Sequence, residues 1–229
     1  MLISKIVSGG QTGVDRGALE AALELGFPYG GLIPKGRLAE DGIVPEKFDR
    51  MEVSFRKDYL FRTEWNVTHS DATLILSNYN TKPNCDRETL TGGTLRTDQF
   101  CICHGKPRLV LFTQNVAKAV DWLKGLGKED IVLNVAGPRE SKAKGIQEST
   151  RSFVCRLIEA VRQLDVKIEY EKGEGELKVD IVDTPTHETA KSIRLRYKGA
   201  ETLVQGNGEW EEEREGGCPW KISAVVGHI

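Results

Sequence analysis

Short apolar runs alternate with stretches of helical periodicity through the first two thirds of the chain. Leu2 to Val7 reads as a strand. Val14 to Leu25 places Val14, Ala18, Ala21, Ala22 and Leu25 at helical spacing, and Gly26 closes that helix. The same reading predicts a short buried strand at Gly31-Leu32-Ile33, a helix from Arg56 to His69 and a continuous apolar strand from Ala72 to Leu76. A long loop, Ser77 to Thr91, leads to a second glycine turn and a helix that stops at Gly105, before Pro107. Arg108 to Phe112 is a predicted strand, Val116 to Leu126 a helix, Ile131 to Val135 a strand and Gly145 to Leu164 a helix. Apolar strands separated by helices mark a parallel sheet covered on both faces, with right-handed crossovers. The pattern therefore predicts an α/β fold over residues 1–165, a Rossmann-like open parallel sheet with helices on both faces.

Beyond residue 165 the period changes. Leu177, Val179 and Ile181, and later Ile193, Leu195 and Tyr197, alternate with polar neighbours as half-buried antiparallel strands do. Asn207-Gly208 fits a hairpin turn between 202–205 and 209–212, although the acidic run Glu211-Glu212-Glu213 weakens the second strand. Residues 166–229 are thus expected to form a small β-rich C-terminal module, and no catalytic pattern is visible in them.

A chain of 229 residues accommodates one domain of ordinary size plus such an appendage. A net charge of -2 and a pI near 6.2 supply no global basic field, so duplex nucleic acid is not the expected partner, while small anions bound by local donors stay open. No apolar run approaches the roughly 20 residues of a membrane span. The N-terminus MLISKIV runs straight into a strand without a signal peptide's features, so a cytoplasmic protein with no membrane partner is expected. The five cysteines, Cys85, Cys101, Cys103, Cys155 and Cys218, are odd in number and scattered, which argues against a disulfide framework. On a helix, the C-x-C spacing of Cys101 and Cys103 points the two sulfurs to different faces, and no C-x-x-C accompanies it. Buried thiols, and no protein-ligated metal, are expected.

Chemistry concentrates in the loops. "SGGQTGVDRG" lies between the first strand and the first helix, where backbone N–H groups and a helix N-terminus favour an anion. It is neither a Walker A loop, since Asp15-Arg16 stands where Lys-Ser/Thr would, nor a G-x-G-x-x-G fingerprint. Structure alone also explains it: Gly9 and Gly10 make the turn, Gly13 and Gly17 let the helix pack close to the sheet, and Asp15 complements the helix dipole. The convergence of loops is what favours a site, because ligands of open α/β sheets bind at the carboxyl ends of the strands. Strand one ends in Gly9, Gly10, Gln11, Thr12 and Gly13 with Asp15 beyond, and strand two in Lys35, Gly36 and Arg37 with Glu40 and Asp41 beyond. Strand three ends in Ser77 to Asn80 and leads to Thr91, Gly92, Gly93 and Thr94; the last strand ends in Asn134, followed by Gly137, Arg139 and Ser141. Two glycine turns at helix N-termini suit a phosphate or another oxyanion, with Lys35, Arg37 and Arg139 to neutralise its charge. On the predicted helix 56–69, Arg62, Asn66 and His69 share a face with Thr63 beside them, either turned toward the cleft or simply solvated.

The stretches "SGGQTGVDRGALEAALELG", "PKGRLAEDG", "RTEWNVTHSDATLIL", "TLTGGTLRT" and "HGKP" resemble, in order and spacing, the successive motifs of the putative molybdenum carrier family. That family is similar to the molybdenum cofactor carrier proteins and, more remotely, to the "lonely guy" nucleoside phosphohydrolases often labelled lysine decarboxylases. The resemblance covers residues 3–160. It implies a Rossmann-like fold, self-association into a dimer or tetramer, and binding of the molybdenum cofactor (molybdopterin) or another phosphorylated pterin or nucleotide; it also favours Arg62, Thr63 and Asn66 as motif members. One position departs from the remote enzymes. Their P-G-G-x-G-T-x-x-E motif ends in a glutamate for glycosidic chemistry, whereas Gln99 stands there in this chain, and a neutral amide cannot act as a general base. A carrier or binding protein is the leading expectation. The alternatives are a nucleotide or nucleoside-phosphate hydrolase using Asp15, Asp41 or Asp98, and a nucleotide sensor that signals through the β-rich module.

Overall fold

In a computed structural model the described residues are 2–77, 90–112 and 114–163, together with the strand backbones at 167–170, 178–183, 191–197, 200–205 and 222–225. The chain divides into two compact units, Met1–Val161 and Arg162–Ile229.

The first unit begins with β1 (Ile3–Val7), α1 (Val14–Glu24) and β2 (Tyr29–Gly30). Short strands follow: β3 (Leu32–Ile33), β4 (Leu38–Ala39), β5 (Gly42–Ile43) and β6 (Glu52–Val53). Then come α2 (Tyr59–Thr68), β7 (Ala72–Leu76), α3 (Gly92–Cys103), β8 (Arg108–Leu111), α4 (Val116–Gly125), β9 (Ile131–Ala136) and α5 (Ile146–Gln163). Side-chain caps open two helices: Asp58 accepts from Leu60 N at α2, and Asn115 from Lys118 N at α4.

Five strands make one sheet in the order β2-β1-β9-β7-β8, every pairing parallel. The step from β1 to β2 and the step from β7 to β8 run in opposite directions along it, so right-handed crossovers put α1 and α3 on opposite faces. The core joins Ile6, Leu74, Leu133 and Val135 of the sheet to Leu19, Leu123, Phe153 and Leu157 of the helices, all buried. β7 is buried at every position, Thr73 included, as expected of a largely apolar strand covered on both faces.

Two findings refine the expected strands. The predicted strand 31–33 does not join the main sheet: Tyr29–Gly30 pairs with β1, and Leu32–Ile33 instead pairs in parallel with β6. Gly31 makes the break, with φ 129° and its Cα so close to the Ser8 carbonyl that a Cβ would clash. The hairpin β4–β5, antiparallel with Leu38 opposite Ile43, interrupts the predicted loop 34–42. Gly17 does allow close packing, but against the Gln147 carbonyl of α5 and not against the sheet.

In the second unit, β10 (Lys167–Tyr170) pairs antiparallel with β14 (Ile222–Val225). β11 (Lys178–Asp183), β12 (Lys191–Tyr197) and β13 (Ala200–Gln205) form an antiparallel meander with Val179 opposite Leu195 and Ile193 opposite Val204. The expected turn at Asn207-Gly208, together with Asn78 to Asn80, Cys85 and Cys218, lies outside the described residues.

Candidate functional site

At the carboxyl end of β1 the chain turns through Ser8 and Gly9, then through Gly10 and Gly13 at φ 72° and 80°, and enters α1. Ser8 Oγ donates to Val135 O at 2.7 Å and fastens this turn to the neighbouring strand β9. The loop after β9 returns over it. A Cβ on Gly13 would run into the backbone of Pro138 to Glu140, and one on Gly137 would strike both Leu76 O and the Val14 side chain. Gly137 is therefore wedged between the end of β7 and the start of α1. Three strand ends, β1, β9 and β7, meet within van der Waals contact.

The backbone donors of the first loop are largely taken by the protein itself. Gln11 N donates to Asp15 Oδ2 (3.4 Å), Thr12 N to Gln11 Oε1 (3.0 Å), Gly13 N to Gln147 Oε1 (3.2 Å) and Val14 N to Pro138 O (3.2 Å). The second glycine turn differs. Thr91, Gly92 and Gly93 are exposed, Thr91 caps α3 without a side-chain hydrogen bond, and no described atom lies within 4 Å of a Cβ built on Gly92 or Gly93. Thr94 is buried one turn into the helix.

Side chains supply what the first loop's backbone does not. Arg62, on the inner face of α2, lies flat over Gly9, where any Cβ would fall inside its guanidinium. Its Nη1 pairs with Asp15 Oδ2 at 3.2 Å, both side chains being about nine-tenths buried, and its Nε has no hydrogen-bond partner among the described residues. Burial pushes the Asp15 carboxyl above its usual range, against the pull of Arg62 and Arg139. Arg139 is itself exposed, with its guanidinium 5.6 Å from the centre of the Tyr59 ring. Arg16 holds Asp41 with both terminal nitrogens, the second at 3.1 Å, and these hydrogen bonds keep the Asp41 carboxyl below its ordinary range. Gln11 Nε2 and Arg16 Nε are buried and, like Arg62 Nε, lack an acceptor among the described residues.

Other expected site residues are engaged in structure. Arg37 donates to the carbonyls of Val44 (3.1 Å), Pro45 (2.9 Å) and Phe48 (3.1 Å) and so ties down the segment behind the hairpin β4–β5. Lys35 and Gly36 are exposed beside it. Asn66 accepts from Leu32 N at 2.8 Å and donates to Leu32 O at 3.2 Å, replacing a strand partner where β3 leaves the main sheet. Thr63 Oγ1 bonds back to Tyr59 O (2.9 Å), and exposed His69 stacks on Trp65. Asp98, 1% exposed, accepts from Arg108 Nε at 2.6 Å, and Gln99 accepts from Arg96 at 2.9 Å. Cys101 is buried and Cys103 exposed, while His104 pairs with Glu64 at 2.8 Å. Among the described residues no cluster of three or more His, Cys, Asp or Glu could hold a metal, and no helix is long and apolar enough to cross a membrane.

Two residues were not in the expected set: Tyr59, one turn before Arg62, and Gln147, which caps Gly13 from α5; Glu40 was placed beyond strand two without a role, and its carboxylate meets Thr12 and Ser141. The adjacency of Glu40 to Asp41 was a usable signal. Gln147 had none, since 134 residues separate it from its partner.

No curated protein matches this chain. A solved structure, described as a putative molybdenum carrier protein from Syntrophus aciditrophicus SB, is 38% identical, with a TM-score of 0.60 over 68% of this chain and 94% of that one. The family model that matches, over residues 6–158, describes a circularly permutated YpsA SLOG family. The sheet displays such a permutation. Counting β9 as the first strand, then β1, β2, β7 and β8, converts its order into 3-2-1-4-5, that of a dinucleotide-binding sheet whose first strand has moved to the end. By strand order, motif and overall fold, the chain belongs to the circularly permutated YpsA SLOG family.

Proposed function

We propose that the chain is a carrier or binding protein for a small phosphorylated ligand, a pterin such as molybdopterin or a nucleotide, held at the carboxyl ends of β1, β9 and β7. The carrying observation is the donor excess around the first loop: Gln11 Nε2, Arg16 Nε and Arg62 Nε are buried without acceptors among the described residues. Buried donors are costly to leave unpaired, and a phosphate brings the acceptors this set lacks. Exposed Arg139 and the open turn at Gly92-Gly93 extend the same donor chemistry toward solvent. These residues fit the phosphate end of a cofactor; molybdenum would arrive as cargo already held by its pterin.

Each of the three carboxylates expected of a hydrolase faces an arginine: Asp15 faces Arg62, Asp41 faces Arg16 and Asp98 faces Arg108. At Asp41 the Arg16 hydrogen bonds hold the carboxyl below its ordinary range, which makes it a weak base. Nucleotide cleavage has one supporting observation, the upward shift of Asp15, which suits a general acid.

The test combines binding with turnover. A nucleoside 5′-monophosphate or a phosphorylated pterin should raise the melting temperature in step with RT ln(1 + [L]/Kd), and Arg62→Lys, which keeps the charge and loses the planar fork, should remove most of that rise. No free base should appear above background. Base release by the unmodified protein, suppressed by Asp15→Asn, would replace the carrier with the hydrolase.

A further inference from the structure

Glu40 and Asp41 sit at the turn of the hairpin β4–β5, which reaches the loops after β1 and β9. Asp41 has a plain structural partner in Arg16. Glu40 is bound differently. Its carboxylate accepts from Ser141 N at 3.2 Å, from Ser141 Oγ at 2.6 Å and from Thr12 Oγ1. Burial works to raise this carboxyl, yet the hydrogen bonds from Ser141 and Thr12, with Arg139 nearby, hold it below its usual range. Donors from two βα loops, at the ends of adjacent strands, thus converge on one pair of oxygens beside an arginine. Such a set is the usual equipment of an oxyanion site at the carboxyl edge of an α/β sheet.

Next to this set, Gln11 carries a donor that no described residue uses. Gln11 Oε1 accepts from Glu40 N at 2.8 Å and from Thr12 N at 3.0 Å, which lodges the carboxamide under the hairpin turn. Its Nε2 is buried, in a residue 5% exposed, and has no partner among the described residues. A carboxylate has two oxygens, and both are engaged by Ser141 and Thr12. A phosphate monoester has three terminal oxygens and more charge, so it can take over the Ser141 and Thr12 donors and still offer an acceptor to Gln11.

Resting on the binding reading above, the geometry points to an oxyanion subsite built by Thr12, Ser141 and Gln11, in which the Glu40 carboxylate stands in for the ligand's phosphate until the phosphate displaces it. The Glu40 side chain is then the moving part, while Asp41–Arg16 holds the turn in place. Ligand binding competes with an internal anion, so apparent affinity is reduced by the fraction of molecules in which Glu40 occupies the subsite.

Calorimetric titration of the full chain with inorganic phosphate, a nucleoside 5′-monophosphate and the matching nucleoside tests this, in the wild type and in Glu40→Ala. With the competitor removed, phosphate and the monophosphate should bind about tenfold more tightly or better, as expected if the open form is a minor state of about 10% or less. The nucleoside should be unaffected, and adding Ser141→Ala should reverse the gain. If Glu40→Ala does not fold, Glu40→Gln, which keeps the shape and removes the charge, should show the same direction. Monophosphate binding that is unchanged or weakened in a folded Glu40 variant makes the hairpin a simple latch and leaves the carrier reading standing. Absence of phosphate and monophosphate binding in every variant overturns both.

Discussion

Two glycines illustrate how one residue type serves two ends. A methyl group on Gly9 collides with the Arg62 guanidinium, whereas one on Gly93 meets nothing described in the protein within 4 Å. Gly9→Ala should therefore cost about 1–3 kcal/mol in urea unfolding, the usual penalty of overpacking, and should also blunt the ligand response by displacing Arg62. Gly93→Val should leave stability within about 0.5 kcal/mol, as surface changes usually do, while abolishing the ligand-induced rise in melting temperature. A full ligand response in folded Gly93→Val would remove the second glycine turn from the site. The contrast was not legible in the sequence. Both glycines sit in look-alike turns, and only the packing of α2 onto the first decides which one already has a neighbour.

Among the elements, β3 depends most on a single side chain. Asn66 satisfies both backbone groups of Leu32, so Asn66→Ala should destabilise by about 1–3 kcal/mol by leaving a buried donor or acceptor unmet, measurable as a lower urea midpoint with an unchanged slope. The hairpin β4–β5 is fastened through Glu40 and Asp41, both with carboxyls lowered on folding. A lowered folded value means stability that is fully present above the unfolded pKa, 4.5 for Glu40 and 3.8 for Asp41, and is lost as pH falls through the folded value. Melting temperature should accordingly fall once the pH drops below about 5, and Glu40→Gln should flatten part of that drop. Strand and helix periodicity made α1, β7, α3, β8, α4, β9 and α5 legible within a residue or two at most ends. Alternation of strands with helices also placed the polar loops at one edge. Two-residue strands such as β3 to β6 carry no period to detect, and the bonding of Arg37 to three loop carbonyls depends on a fold its own sequence does not display.

At the scale of the whole molecule, the contacts divide near Val161, after every strand of the parallel sheet is complete. A chain cut after Leu164 keeps β9 and the whole of α5, and it should remain folded, cooperative in thermal unfolding and able to bind the phosphorylated ligand. An insoluble or molten product would mean that residues beyond 164 complete the core or an oligomer interface. Strand order was the part of the architecture that periodicity could not convey, because pairing of β9 with β1 joins residues more than 120 positions apart. That order has a consequence during translation. The ribosome delivers β1 with β2, and later β7 with β8, as two separate half-sheets. Each has one inward edge of unsatisfied backbone groups, open to wrong partners until β9 emerges between them. At synthesis rates of about 5–20 residues per second those edges wait for seconds, so a nascent-chain chaperone has its natural task in the interval before the central strand is made.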